Sequence, residues 1–367
     1  MILKQPNIII SGGGTGGHIF PAISIADAIT KQMPDCKILF VGAKGRMEME
    51  RVPAAGYEIV GLPVAGFQRR MTWKNITFFY KLAASMYQAR KIVRQFKPQV
   101  VVGVGGYASG PVLRAASSVG IPTLIQEQNS FPGVTNRILA KKASAICVAY
   151  PGMERFFSAH KIIFTGNPIR KQLLEHVDTN AAYEYFGLEK GVKTILVVGG
   201  SLGAGSINKG VLNRIEELRE QPLQLIWQTG KFYFEEVDAK MSIINLPNVK
   251  AMAFVQRMDY AYSIADLVIS RAGAGTISEL ALLGKPSLLV PSPNVSEDHQ
   301  TKNAMALVEK DGAVLVKDSD TEAMLLPTAI ELLNNPSKLK VLSNNIKNFA
   351  KPDAGEVIAG EVLKLIK

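Results

Sequence analysis

Cysteine is scarce in this chain: its 367 residues hold two, Cys36 and Cys147. Two cannot staple a disulfide framework, and the usage suits a reducing compartment. Long apolar runs are missing as well. The most apolar stretches, such as Val100 to Gly106, are broken by Gly, Pro or Arg well before the ~20 residues that a spanning helix needs. No secretory leader is expected, because Lys4 and Gln5 run straight into the strand Asn7-Ile8-Ile9-Ile10. A soluble or peripheral protein is the expectation. Acids are also in deficit, and the formal net charge of +11 asks for an anionic partner: nucleic acid, acidic lipid or a phosphorylated substrate.

What is present suits a packed α/β protein. Hydrophobic content is 47% with 20% charge, and the length fits about two domains. Short β-branched runs alternate with helical patterns, and their order repeats. Ile8 to Ile10 leads through Gly12–Gly17 to a helix expected over Ala22 to Lys31. Thr194 to Val198 leads through Gly199–Gly205 to one over Ile207 to Arg219. Second strands follow at Ile38 to Lys44 and Leu225 to Lys231. Val100 to Val102 and Leu267 to Ile269 then each precede a glycine loop, a helix and a further strand. Three matched units in one order predict two doubly wound domains facing each other. The seam is placed at Gly166-Asn167-Pro168. A break at Lys351-Pro352 precedes a last helix, Glu356 to Ile366, which is expected to cross back over the first domain.

Three glycine loops stand at strand-to-helix junctions, where backbone N–H groups and a positive helix end can receive an anion. They are Gly12 to His18, Gly103 to Tyr107 and Gly199 to Gly203. One loop could be a tight turn; three, split between two domains, predict a phosphate-rich cleft. The first also fits G-x-G-x-x-G, at Gly12, Gly14 and Gly17. A dinucleotide site wants an acid after the second strand, yet Val41 is followed by Gly42-Ala43-Lys44. An NADP site using Lys44 and Arg46 stays as an alternative.

In the second half, Ser270 to Glu279 is a loop opening onto a helix, with Glu279 expected on about its first turn. That carboxylate could accept hydrogen bonds from both ribose hydroxyls, or simply complement the helix dipole. Arg170 could reach a diphosphate or be a solvated helix-start arginine. Gln300, in Asp298 to Ala304, offers an amide suited to sugar hydroxyls.

Together these motifs are highly specific: Gly12 to His18, Gly105-Gly106-Tyr107 followed by Ser109 and Pro111, Glu127-Gln128-Asn129, Gly166 to Arg170, Gly199 to Ala204, Gly275 to Glu279 and Asp298 to Ala304. In this combination the chain resembles the MurG family, bacterial transferases that move GlcNAc from UDP-GlcNAc onto lipid I to give lipid II in peptidoglycan synthesis. The resemblance spans nearly the whole chain. It implies the α/β GT-B fold, two Rossmann-like doubly wound domains facing across a cleft. It also implies inversion at the anomeric carbon, no metal or other cofactor, and a peripheral place on the cytoplasmic face of the bacterial inner membrane.

By that resemblance residues 1–167, with a C-terminal helix at about 352–367, would bind the lipid acceptor and the membrane. Residues 168–351 would bind the UDP-sugar. Contacts to UDP-GlcNAc would come from Thr15, Gly16, Gly17, Asn129, Arg170, Ser201, Val255, Ala274, Gly275, Thr276, Ile277, Ser278, Glu279 and Gln300. The acceptor's diphosphate would meet Gly13, Gly14, Gly105, Gly106 and Tyr107. Leu202 departs from the family, where many members carry glutamine, so only backbone contacts are expected there.

An inverting transfer needs a base for the attacking hydroxyl. His18 ends the first loop, and an unperturbed imidazole pKa near 6.5 suits that task. It could instead only order the loop. Asp318-Ser319-Asp320 matches a metal-binding D-x-D but precedes the helical run Thr321 to Leu325, so these acids are read as caps and no metal is expected.

Between Phe67 and Arg94 bases alternate with large apolar groups. A membrane-facing set is assigned to Phe67, Arg69, Arg70, Trp73, Lys74, Phe78, Phe79 and Lys81. Each cation near an anionic surface contributes about 1 kcal/mol. Some of these aromatics could be core, and no recognised nucleic-acid module accompanies the basic stretch, so no nucleic acid is expected. The expected partners are UDP-GlcNAc, lipid I and the anionic membrane face. A UDP-GlcNAc epimerase of the same fold, an NADP-dependent oxidoreductase and a non-catalytic nucleotide sensor are the competing readings.

Overall fold

The computed structural model describes residues 5–64, 74–169, 173, 175–200 and 202–366, with the side chains of 74–79 and 296 left aside. The chain divides into two compact units, Met1–Arg170 with Lys351–Lys367, and Lys171–Ala350.

In the first unit, seven described strands make one parallel sheet: β1 (Asn7–Ser11), β2 (Lys37–Ala43), β3 (Glu58–Leu62), β4 (Val100–Gly103), β5 (Thr123–Glu127), β6 (Ala145–Val148) and β7 (Ile162–Phe164). Their spatial order is β3-β2-β1-β4-β5-β6-β7. Consecutive residues Ile8, Ile9 and Ile10 are all fully buried, because helices cover both faces of such a sheet and no side chain has a wet side. The helices are α1 (Gly16–Gln32), α2 (Glu48–Ala54), α3 (Lys74–Phe96), α4 (Ser109–Ser118) and α5 (Val134–Leu139). α1 starts six residues before Ala22, since Gly16 and Gly17 themselves form its first turn and Pro21 is accommodated inside it.

The second unit repeats the plan with β8 (Lys193–Val198), β9 (Leu223–Gln228), β10 (Val249–Met252), β11 (Leu267–Ser270), β12 (Ser287–Leu289) and β13 (Val314–Leu315). The order is β10-β9-β8-β11-β12-β13, again all parallel. Its helices are α6 (Thr179–Phe186), α7 (Gly205–Leu212), α8 (Phe234–Ile244), α9 (Met258–Ile264), α10 (Ala274–Leu283), α11 (His299–Val308), α12 (Thr321–Leu333) and α13 (Pro336–Lys347). The single helix expected over Ile207 to Arg219 is two pieces. α7 stops at Leu212, the next residue Asn213 donates to Glu322 of α12 at 2.7 Å, and a 3-10 turn follows at Ile215–Arg219.

The chain then returns to the first unit as α14 (Ala354–Lys364). Its buried Ile358, Ala359 and Val362 share a core with Ile25 and Ile29 of α1. Gln32 Nε2 donates to the Glu356 carbonyl at 2.9 Å, beside an exposed Lys31–Glu356 ion pair that adds little. In each unit the strand order reverses beside the first strand, at β1/β4 and at β8/β11. Ligands of such sheets bind at the carboxyl ends of the strands there.

Candidate functional site

At the β1/β4 reversal two glycine loops pack backbone against backbone. Gly13 and Gly14 adopt φ of +144° and +90°, and Gly105 and Gly106 +93° and +82°, angles that favour glycine. A Cβ on Gly106 would collide with the Gly13 carbonyl, and one on Gly12 with Val104. His18 lies on the first turn of α1, with its Nδ1 3.2 Å from the Thr15 hydroxyl. The same ring borders Gly105: a Cβ there would stand 2.8 Å from His18 Nε2. The structure thus brings Gly13, Gly14, Thr15, Gly16, Gly17, His18, Gly105 and Gly106 together. Tyr107 is exposed beside them.

A residue that sequence reasoning passed over holds this loop. Glu48, first residue of α2 and almost fully buried, accepts from the Gly14 N–H at 3.0 and 3.1 Å and from the Ala43 N–H at 2.9 Å. The expectation that no carboxylate stands at the end of the second strand is therefore corrected: one arrives from five residues further on. It does not revive the dinucleotide site. Both oxygens are engaged by the loop, and the anion faces the amide that a pyrophosphate would need. Removing it strands the buried Ala43 N–H, at a cost of about 1–3 kcal/mol, and releases the more exposed Gly14 loop. Glu48→Ala is expected to melt roughly 4–10 °C lower, with Glu48→Gln losing about half as much, since it keeps one oxygen. Scanning calorimetry checks this, and equal midpoints for all three proteins would show that Glu48 holds nothing.

Glu127, at the end of β5, orders the next loop. Its Oε1 accepts from the Asn129 N–H (3.0 Å) and Nδ2 (3.3 Å), and its Oε2 from Asn136 Nδ2 (2.8 Å) and the Gly133 N–H (3.3 Å). Burial raises its pKa above the ordinary carboxylate value, against the pull of those donors. Asn129 is thereby oriented beside Gln128, in the same unit as His18.

In the second unit the loops after β8 and β9 interlock. Gly203 has φ of +91° and Gly230 +84°, and a Cβ on either would run into the other loop's backbone. Ser201 lies outside the described residues, as does Arg170; Leu202 is exposed. Gln228, closing β9, holds the Val255 N–H with its Oε1 at 2.9 Å. Val255 is itself fully buried.

α10 opens at Gly273, and nothing would obstruct a Cβ on Gly275, so its N-terminus is open there. Ala274 and Ile277 turn into the core, Thr276 is half-buried, and Ser278 Oγ donates back to the Ala274 carbonyl at 2.9 Å. Glu279 is the sixth residue of α10, on its second turn rather than its first. Tyr262 Oη donates to its Oε2 at 3.1 Å. Gln300 Oε1 accepts from the Ser292 N–H at 2.9 Å, which leaves the amide nitrogen as the donor end. Just before it, Glu297 and Asp298 adopt φ of 59° and 50°, consecutive left-handed residues costing roughly 1–2 kcal/mol each. Such strain tends to gather where a loop must present groups to a ligand.

The D-x-D acids are not caps in the expected way. Asp320 occupies the N-cap position of α12 without a side-chain cap bond. Asp318 pairs with Arg271 and accepts from Ser206 Oγ at 2.5 Å. Arg271 also donates to the Val290 and Pro291 carbonyls at 3.2 and 3.3 Å, tying the ends of β11 and β12 to the turn before α12.

Of the basic-aromatic stretch, Phe67, Arg69, Arg70 and Trp73 lie outside the described residues, as do the side chains of Lys74, Phe78 and Phe79. From Tyr80 onward α3 can be followed. Ser85, Ala89, Ile92 and Val93 are buried, while Tyr80, Lys81, Tyr87, Arg90, Lys91 and Arg94 are exposed. No helix among the described residues is long and apolar enough to cross a membrane.

Comparison with known proteins follows the same division. The N-terminal domain of glycosyltransferase family 28 matches residues 8–148, and the C-terminal domain of that family matches residues 194–358. A Bacteroides thetaiotaomicron protein is 58% identical over 99% of this chain and 98% of its own length. It is named UDP-N-acetylglucosamine–N-acetylmuramyl-(pentapeptide) pyrophosphoryl-undecaprenol N-acetylglucosamine transferase. A Cytophaga hutchinsonii protein of the same name is 52% identical over 99% of the chain and 98% of its own. Among solved structures, Acinetobacter baumannii MurG is similar at a TM-score of 0.77 and 29% identity, covering 98% of this chain and 99% of that one. A UDP-GlcNAc 2-epimerase from Neisseria meningitidis shares the fold at a TM-score of 0.69 and 13% identity, over 98% of this chain and 100% of its own.

Proposed function

The chain belongs to glycosyltransferase family 28, and we propose that it transfers N-acetylglucosamine from its UDP donor to the muramyl 4-hydroxyl of an undecaprenyl-pyrophosphoryl acceptor. It is a glycosyltransferase, and the two-domain GT-B architecture is that of the family. The observation that carries the choice of donor and acceptor is the full-length likeness, at 52–58% identity, to relatives named for this reaction. An epimerase shares the fold at 13% identity, too little to argue activity, and so is not favoured.

Residue roles start from the two strand reversals. In the second unit, Glu279 accepts from the ribose hydroxyls, Gln300 donates to sugar hydroxyls, and the open end of α10 meets the diphosphate; Arg170 and Ser201, outside the described residues, keep the diphosphate role that the sequence motifs give them. Preorganised N–H dipoles are suited to the charge that develops on departing UDP. In the first unit, His18 Nε2 takes the proton of the attacking hydroxyl while that oxygen bonds to the anomeric carbon and the carbon–diphosphate bond breaks. The O–H and carbon–diphosphate bonds break as the N–H and new glycosidic bonds form; attack on the face opposite the diphosphate inverts the anomeric carbon, and UDP leaves as an anion. The acceptor's diphosphate meets Gly105, Gly106 and Tyr107 more readily than Gly14, whose N–H is already taken by Glu48.

The exposed cations Lys81, Arg90, Lys91 and Arg94 of α3, with Tyr80 and Tyr87, fit a peripheral seat on an anionic membrane. The cytoplasmic face is the side where UDP-sugars and such acceptors meet.

One assay tests the reading. The protein is incubated with radiolabelled UDP-GlcNAc, with and without the lipid acceptor, in anionic vesicles and with a chelator throughout. Label is expected in the lipid fraction only when acceptor is present, undiminished by chelation, with the protein sedimenting on the vesicles. Label that stays in the water-soluble sugar nucleotide as an isomer would replace transfer by epimerisation.

A further inference from the structure

The Glu48 carboxylate sits in a cradle shaped around it. Its Oε1 accepts from the Ala43 N–H, and both of its oxygens face the Gly14 N–H. A Cβ on Gly13 would collide with this carboxylate, and one on Gly42 would stand 2.6 Å from Glu48 Cγ. Two glycines, one in the first loop and one in β2, thus leave room for one glutamate. Glu48 is 1% exposed, and taking a carboxylate out of water is costly. Yet part of what it grips lies outside the core: Gly14 and its neighbour Thr15 are both exposed. The grip therefore fixes the place where the loop turns into α1.

From that place the connection to the imidazole is short. Thr15 occupies the N-cap position of α1 in an extended conformation, but its hydroxyl makes no cap bond. The hydroxyl lies instead 3.2 Å from His18 Nδ1. In the tautomer whose Nε2 can accept a proton, Nδ1 carries the hydrogen and donates to Thr15. A displaced Gly14 carries Thr15 with it, and the ring then loses the partner that sets both its tautomer and its direction.

We propose that Glu48 is a positioning residue for the transfer reaction: through Gly14 and Thr15 it aims the His18 imidazole at the attacking hydroxyl. The inference rests on the transfer reading above, with His18 as its base. Glu48 itself touches no substrate and moves no proton, since its oxygens are spent on main-chain donors. A misplacement of about 1 Å in a reacting group can cost about 10²-fold in rate, so a clamp on this loop is felt in turnover before it is felt in binding.

The test is a cycle of substitutions. Glu48→Gln keeps the shape of the side chain but turns an NH2 toward one of the main-chain donors. Assayed well below its melting midpoint and at saturating substrates, it should lower kcat about 10–100-fold. Affinity for UDP, which the transfer reading assigns to the second unit, should stay within about twofold. In a His18→Ala background the same substitution should change the residual kcat by less than about twofold, because the group that Glu48 aims is gone. A glutamate that only stabilises the fold would lower kcat by one factor in both backgrounds. That result overturns the proposal, as does Glu48→Gln with wild-type kcat, or with UDP affinity falling as far as kcat. Should Glu48→Gln not fold, Thr15→Val decides, because it removes only an exposed hydroxyl. It should lose about tenfold in kcat, and turnover like wild type sinks the proposal. His18→Ala as fast as wild type removes the base and this proposal together. A wild-type protein that transfers to no acceptor fails the transfer reading on which the proposal stands.

Discussion

His18→Ala is expected to lower turnover by about 10²–10⁴-fold, the usual share of a general base, while UDP-GlcNAc affinity stays within about twofold. The ring stands on the first turn of α1 with Nδ1 against Thr15 and its Nε2 edge packed against Gly105, in the place a side chain there would need. An imidazole there works only in its neutral form. The wild-type kcat/KM should therefore show an acidic limb as the imidazole is protonated, and the residual activity of the variant should lack that limb. Steady-state rates across pH, with calorimetric donor titrations, measure both quantities. If turnover survives the substitution, the histidine merely orders the loop. If turnover and donor affinity fall together, the ring belongs to donor binding and the proton must go elsewhere.

Glu279→Ala is the second large effect. A carboxylate accepting from ribose hydroxyls makes charge-assisted bonds worth roughly 1.5–3 kcal/mol, so donor affinity should weaken by about 10–150-fold, with a smaller change in kcat at saturating donor. The carboxylate is steadied by Tyr262, and Tyr262→Phe should cost only a few-fold (about 1 kcal/mol), since it removes one neutral donor and leaves the anion in place. The 2′-deoxy donor supplies the decisive comparison. Wild type should bind it more weakly than UDP-GlcNAc, and Glu279→Ala should discriminate little between the two. Should the alanine variant bind UDP-GlcNAc as tightly as wild type, Glu279 is a helix charge and no ligand contact.

These expectations draw on two kinds of knowledge. Both sheets were legible because their signals are local. Ile8-Ile9-Ile10 and Thr194 to Val198 are β-branched runs ending in glycine, and the same succession returns in the same order, so the doubly wound class could be read without coordinates. Helix ends were less legible. Gly16 and Gly17 look like loop and are helix, and the helical pattern expected over Ile207 to Arg219 is broken after Leu212.

What the sequence determined alone is the class of fold, the repeat and the glycine loops, since chirality, alternation and backbone freedom act between neighbours in the chain. Only the tertiary structure decided what holds those loops. Glu48 meets Gly14 across 34 residues, Gln128 meets Val104 across 24, and Arg271 meets Asp318 across 47. None of these pairs has a spacing that periodicity could detect. Each exists because a buried or half-buried polar group must find a partner, and the partner within reach is set by how the strands are ordered in space.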